Sequence, residues 1–515
     1  MISKFLKIRS YKLGTLVNVG SSIISKVFAF IKNIFIAAYF GASASTDIYF
    51  FCLMIILIAV GFLNTINTSV IIPQSMYIRD GKNTEKSMRF LNAFMYINIA
   101  ISIVIALLVL INPEGFIGFV SKFSAGEISG NINVLILSVI LLVLFVISNS
   151  LTNILNSYKF FNIALINALA NSLPIVFVII FHNKLGISSV ILGLIVATML
   201  QIVAYIFMLK KFLNWSFVGK LENISKNLIK NILFMKVHNL STFLAGYIPA
   251  LLLSGLKTGD LSYFNYSRQI SGSLNEITNE KVSQTSFIKL SELAADQNNK
   301  EINRIFIKVS KLLLFVTIPI MVAGIYFGND ICRLIFERGE FSSKDTASVA
   351  YLFKLIVIIL PITSVTTFIH LILMARKNIK LKTFFQLTSD FVFIVCAFFL
   401  IKKYGVFGLA YSMIIVGVFK AMVDFFISKS FLKFLDFTAS LKNFASLFFI
   451  NILAIIPLIV IGKPNLSPNW LFIYDIGLFM ISWGLVNYIF GTLKEFFNEA
   501  GNIKLIKNFY SELTS

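Results

Sequence analysis

Along most of its length the chain alternates runs of about 20 apolar residues with short polar breaks. A helix of that length crosses the roughly 30 Å hydrocarbon layer of a bilayer, so the pattern predicts membrane spans. The runs fall at 14–40, 44–73, 89–112, 132–157, 160–181 and 186–209. A second set follows at 232–256, 260–288, 305–328, 346–374, 381–401 and 406–428, and two more at 440–462 and 470–492. The expected fold is an all-α polytopic membrane protein of about 14 transmembrane helices, with loops too short to hold a soluble domain.

One run departs from the rule. Residues 258–290, TGDLSYFNYSRQISGSLNEITNEKVSQTSFIKL, keep helical spacing but carry a polar stripe. At about 100° per residue, Arg268, Gly272, Asn275, Asn279, Ser283 and Ser286 align, with Glu276 at the edge. An arginine on such a stripe must face protein or water within a bilayer, which marks it as a functional residue. The second helix has a similar line of Gly61, Asn64, Asn67 and Thr68, which suits either a lumen or hydrogen bonding between packed helices.

Composition supports the membrane reading. Hydrophobic residues make up 57% of 515 and charged residues 13%, about half the share in soluble domains. The net charge of +22 would suit a nucleic-acid binder, but the basic residues lie in alternate short loops. Loops 77–89, 210–230, 289–304, 376–382 and 429–442 are rich in Lys and Arg, whereas 41–46 and 113–130 carry almost none. Counting flanks gives about 27 basic residues on one side and about 9 on the other. The positive-inside rule then puts both termini in the cytoplasm, with Lys402 and Lys403 as the local exception. The chain opens on Lys4, Lys7, Arg9 and Lys12 with no small-residue cleavage site, so no removable signal is expected. Cys52, Cys332 and Cys396 have neither paired nor metal spacing. The tail NEAGNIKLIKNFYSELTS reads as a solvated end.

An internal repeat organises the first twelve spans. FGASASTDIYFF opens the second helix and SGLKTGDLSYFN the eighth, each with a glycine-bearing loop, an aspartate (Asp47, Asp260) and then Tyr-Phe. IRDGKNTEKSMRF and AADQNNKEINRIF follow these two helices on the basic side. Equal sidedness across six helices implies parallel repeats. The expected organisation is an N-terminal lobe at 1–211, a C-terminal lobe at 212–430, and two further helices with a tail at 431–515.

Such a two-lobe protein places its site between the lobes near the membrane midplane. Lys26 and Lys32 on the first helix are about 120° apart around its axis. Lys32 is too deep to snorkel easily, while Lys26 lies nearer the inner face. Lys236 and His238 enter the seventh helix near its basic end, and His182, His238 and His370 suit packed side chains better than ligands. Asp390 has Gln386 one turn earlier, and Ser412 on the next helix offers another oxygen. A carboxylate in hydrocarbon must pair, protonate or hold a cation. A sodium or proton site is therefore expected there, with Lys354 or Lys420 as the alternative ion-pair partner, and Asp424 and Asp475 are placed near interfaces. Pro174, Pro249, Pro319, Pro361 and Pro457 lie within spans and predict bends.

Absences narrow the class. No P-loop, HExxH, Cys/His cluster or glycine-rich nucleotide fingerprint occurs, and the outer loop at 113–130 offers only Glu114 and Glu127 as carboxylates. Transport by rocking two lobes remains, and no enzymatic activity or cofactor is expected. A multidrug or cation antiporter, which would favour an acidic aromatic cavity, and a non-transporting scaffold stay open as alternatives.

The runs SKVFAFIKNIFIAAYFGASASTDIYFF, YFNYSRQ and ICRLIFERGEFSSKDT together resemble the MviN/MurJ family of lipid II flippases, within the multidrug/oligosaccharidyl-lipid/polysaccharide exporter superfamily. The likeness extends over essentially the whole chain. It implies export of an undecaprenyl-diphosphate-linked saccharide across the bacterial cytoplasmic membrane by a multi-pass protein, expected here as a monomer. The family's basic positions on the first helix fall on Lys26 and Lys32, where arginine is usual, its loop aspartate on Asp47, and its eighth-helix arginine on Arg268. A family arginine of the second helix falls at apolar Val60. Lysine is a point charge where arginine is a planar fork, so the diphosphate is implied while lipid II and other lipid-linked oligosaccharides both remain open. On this reading Lys26, Lys32 and Arg268 attract the head group, and Asn64, Asn67, Asn275 and Asn279 offer hydrogen bonds to sugars.

Overall fold

A computed structural model describes residues 11–81, 83–158, 160, 163–220, 226–461, 464 and 467–502. The basic opening residues Lys4, Lys7 and Arg9 and the tail beyond 502 lie outside the described residues, as does the side chain of His238.

The described chain is helical, with no strand among the described residues. In chain order the helices are α1 (Tyr11–Phe40), α2 (Ala44–Asp80), α3 (Thr84–Ile111), the short α4 (Pro113–Val120) and α5 (Ala125–Gly130), α6 (Ile132–Ser157), α7 (Ile163–Leu185) and α8 (Ser188–Leu213). Then come α9 (Lys226–Leu253), α10 (Asp260–Asn275, Glu276–Glu280 and Lys281–Ala295), α11 (Asn299–Phe336), α12 (Ser343–Ala375), α13 (Ile379–Tyr404) and α14 (Val406–Ser430). Last are α15 (Phe437–Val460), α16 (Pro468–Ile489) and α17 (Thr492–Asn502). Each expected span has its helix. Among the described residues, 11 are long and apolar enough to cross a membrane by themselves. Among the described residues α9 includes the apolar stretch Asn239–Leu253, and α10 carries the polar stripe.

Local chemistry sets the helix ends. Ser43 and Thr46 form a capping box at α2, and the side chains of Asn83, Asn298 and Asp436 accept from first-turn amides of α3, α11 and α15. The Thr438 hydroxyl and the Ala439 amide hold the Asp436 carboxyl below the usual carboxylate range. Three spans break four residues before a proline: α7 at Ala170 ahead of Pro174, α12 at Val357 ahead of Pro361, and α15 at Leu453 ahead of Pro457. A proline ring clashes with the carbonyl four residues back, so the break falls there. Pro249 and Pro319 are instead accommodated inside α9 and α11. Both second helices of the repeat carry a one-turn π segment, Asn67–Ile71 in α2 and Glu276–Glu280 in α10.

By contact the chain forms two compact units, Met1–Asn265 with Arg338–Asp345, and Tyr266–Glu337 with Thr346–Ser515. These are contact units and not the repeat units expected from sequence. α9 belongs with the first because it packs along α2, where Gly246 leaves room for Ile58: a Cβ there would come within 2.9 Å of Ile58 Cδ1. The first unit has a core from the ends of α2, α3, α6 and α8, closed by Trp215, whose Nε1 donates to Asn92 Oδ1 at 2.9 Å. In the second unit α12 packs on α11, α13, α14 and the Lys281–Ala295 part of α10. There α17 docks on α11 through Phe315 and Phe496, stacked at 4.3 Å, beside a Lys311–Glu495 ion pair.

Candidate functional site

The aspartates that lead the two repeats have different roles. Asp47 is 3% exposed, and both carboxylate oxygens are spent on the first turn of α10. Oδ2 accepts from the Gly259 amide at 2.6 Å, and Oδ1 accepts from the Ser262 amide at 2.8 Å and its hydroxyl at 2.5 Å. Thr46 Oγ1 lies 3.0 Å from the same hydroxyl. A carboxylate on first-turn amides matches the positive end of a helix, and hydrogen bonds to a charged group contribute about 1.5–3 kcal/mol each. Asp47 is thus a cap reaching from α2 to α10.

The segment FERGEFSSKDT completes this closure. Glu340 donates its amide to Ala38 O at 2.9 Å, and Tyr263 donates its hydroxyl to Asp345 Oδ1 at 2.6 Å. Gly339 has φ +59 and lies so close to α1 that a Cβ would come within 2.1 Å of Ala38 O. This segment is therefore a strap across the α1–α2 turn and the start of α10.

The cations fall into two groups. On α1, Lys26 is exposed and Lys32 half-buried. On α10, Arg268 is exposed while its neighbours Ser267 and Ser271 are buried. Neither Lys32 nor Arg268 has a hydrogen-bond or ion-pair partner among the described residues. The polar stripe of α10 divides along its length: Arg268 and Gly272 are exposed, Asn275 and Glu276 half-buried, and Asn279, Ser283 and Ser286 buried.

The asparagines expected to meet sugars are engaged within their own units. Asn153 of α6 donates to Asn64 Oδ1 at 2.7 Å, and Asn98 of α3 donates to Asn67 Oδ1 at 3.2 Å. Asn67 lines a water-sized cavity of about 20 Å³ with Ser150 and Asn153. In the other unit, Asn279 Nδ2 donates to Asn275 Oδ1 at 2.9 Å and Thr363 Oγ1 at 3.1 Å, and Asn279 Oδ1 accepts from Ser364 at 2.8 Å. In both helices the network gathers at the π segment, whose extra residue turns an amide toward the neighbouring helix. Hydrophobic periodicity gives no sign of a π segment; the Asn pairs alone mark these places.

For the expected cation site, Gln386 Nε2 donates to Asp390 Oδ1 at 2.8 Å, and Ser412 donates to Gly408 O at 2.7 Å. No group of three or more His, Cys, Asp or Glu able to hold a metal ion occurs among the described residues. The three cysteines are free.

These helices, with Asp-led second spans in both halves and unpartnered cations within spans, define a multi-pass α-helical membrane protein. A solved structure of the lipid II flippase MurJ in an inward closed conformation has a TM-score of 0.78 at 20% identity, covering 93% of this chain and 99% of that one. An inward-facing multidrug resistance MATE transporter of the MOP superfamily has a TM-score of 0.65 at 12% identity, covering 83% and 99%, a likeness of fold alone. The family model described as lipid II flippase MurJ matches residues 36–477, and the chain belongs to that family. A probable lipid II flippase MurJ from Borreliella burgdorferi (strain ATCC 35210 / DSM 4680 / CIP 102532 / B31) is 23% identical over 431 residues, 81% of this chain and 83% of its own length.

Proposed function

We propose that the protein moves an undecaprenyl-diphosphate-linked saccharide, lipid II or a close relative, from the inner to the outer leaflet of the bacterial cytoplasmic membrane by alternating access. Family membership across residues 36–477, joined to the unpartnered cations Lys32 and Arg268, carries this reading. A lone cation within a span is costly, and an anionic head group offsets that cost. Arg268 holds two phosphate oxygens with its planar fork, while Lys26 and Lys32 act as point charges. Cationic drugs would be repelled by the same side chains, which disfavours an antiporter.

Asp47 then serves transport as the latch of one closed end and not as a ligand. Asn64 and Asn275, half-buried and with hydrogen-bonding capacity to spare, face the sugars; Asn67 and Asn279 hold the spans together. The transporting lobes are 1–211 and 212–430, with 431–515 an accessory pair of helices and a tail, both termini cytoplasmic by the positive-inside rule, and the working form a monomer. No enzymatic step is involved. Sodium or protons reset the cycle, with Asp390, Gln386 and Ser412 as candidate cation ligands. Flipping of a lipid-linked saccharide in proteoliposomes tests the reading: transport is expected, and drug efflux in its place would overturn it.

A further inference from the structure

The buried titratable group that this cycle leaves unused is Asp424. It lies on α14, 1% exposed, and neither carboxylate oxygen has a hydrogen-bond partner. His370 of α12 faces it, with Nε2 at 3.8 Å from Asp424 Oδ1. The two helices pack directly within one unit. The pair lies about one and a half turns from the helix ends that carry Arg376 and Lys429.

A carboxylate removed from water without hydrogen bonds costs several kcal/mol unless it binds a cation or a proton. Histidine is the side chain whose charge changes most readily near neutral pH. Side by side in a low dielectric, the two hold one proton in either of two neutral arrangements, imidazolium against carboxylate or imidazole against carboxylic acid. Loss of that proton leaves a buried negative charge; a second one leaves a buried positive charge.

The surroundings select the proton over a metal ion. The charged side chains acting on His370 are Lys420, one turn earlier on α14, and Lys382 on α13; Lys420 also acts on Asp424. From α10 and α11, which also pack on α12, no charged side chain acts on either residue among those described. Two nearby cations and one carboxylate make a poor cage for a metal ion. The same cations oppose a net positive charge there, so the pair holds one proton and not two.

We propose that His370 and Asp424 form a proton-binding site coupled to transport. One proton enters from the basic ends of α12 and α14, neutralises the pair by residing on either His370 or Asp424, and leaves when the two helices shift. This rests on the flippase reading and commits its coupling ion to the proton.

Two arms test it, each with Asp424→Asn and His370→Gln checked for folding by thermal melting. The first records pH-induced infrared difference spectra of purified protein without cargo. A carboxyl band and an imidazole band that titrate together are expected in the intact protein, with the joint step lost in either variant. The second follows flipping of lipid II in proteoliposomes, where the intact protein should change rate about threefold or more between about pH 5.5 and 7.5, and His370→Gln should flatten that profile. Joint titration that survives in a folded variant overturns the site, and an unchanged pH profile in folded His370→Gln overturns the coupling. If the intact protein moves no lipid II, the flippase reading fails, and the infrared arm still decides on the pair.

Discussion

The carboxylate of Asp47 accepts from both the amide of Ser262 at 2.8 Å and its hydroxyl at 2.5 Å, 215 positions along the chain. This contact ties the opening of the first repeat's second helix to that of the second repeat's. Both helices begin with an aspartate followed shortly by Tyr-Phe, yet one supplies the carboxylate and the other the amides. Opening this end of the protein requires those bonds to break, and closing it restores them.

Replacing Asp47 with Asn keeps the shape but removes the charge, and leaves one acceptor oxygen for three donors. The loss is about 2 kcal/mol or more, roughly thirtyfold in the opening equilibrium. Hydrogen exchange of amides 259–262 should speed up by about that factor, with helix content unchanged. Exchange as slow as in the unaltered protein would show that Asp47 does not hold the latch.

Gly339 and Gly405 share a positive φ, +59 and +61, but a Cβ at Gly405 meets nothing within 4 Å whereas one at Gly339 meets Ala38 O at 2.1 Å. Gly405→Ala therefore costs only backbone strain, about 1–2 kcal/mol. Gly339→Ala adds displacement of the strap and of the Glu340–Ala38 hydrogen bond. Thermal melting should rank Gly339→Ala clearly below Gly405→Ala, and equal melting temperatures would contradict the close approach.

Asn279 bonds Thr363 and Ser364 of α12, and its loss removes both links, while Ser364 keeps Leu360 O and Thr317 Oγ1 as partners. Interhelical hydrogen bonds in membranes contribute about 0.6 kcal/mol on average and up to about 1.7. Asn279→Ala should lower the melting temperature by a few degrees while binding of a lipid-linked saccharide stays within about twofold. A large loss of binding at an unchanged melting temperature would make Asn279 a ligand after all.

The spans were legible because burial in lipid demands unbroken apolar runs, and each expected run became a helix. The proline positions foretold the breaks in α7, α12 and α15, since a ring excludes the carbonyl four residues back. The α10 stripe was legible as polarity but not as direction. Its part at Arg268 is exposed, whereas Asn279, Ser283 and Ser286 are buried. Periodicity of about 100° per residue cannot register a π segment, which shifts the face partway along the helix. The Asp47 latch and the His370–Asp424 pair escaped for another reason: their partners are remote in sequence, and spacing says nothing of who meets whom.

Arg268 is the proposed contact of an anionic head group within the membrane. Its most direct test measures flipping of lipid II in proteoliposomes by the intact protein, Arg268→Ala and Arg268→Lys. Losing a charge-assisted contact of about 1.5–3 kcal/mol predicts a fall of about tenfold to a hundredfold for Arg268→Ala. Arg268→Lys should retain part of the rate, because it keeps the charge but not the fork. Flipping by correctly folded Arg268→Ala at the rate of the intact protein would contradict the account.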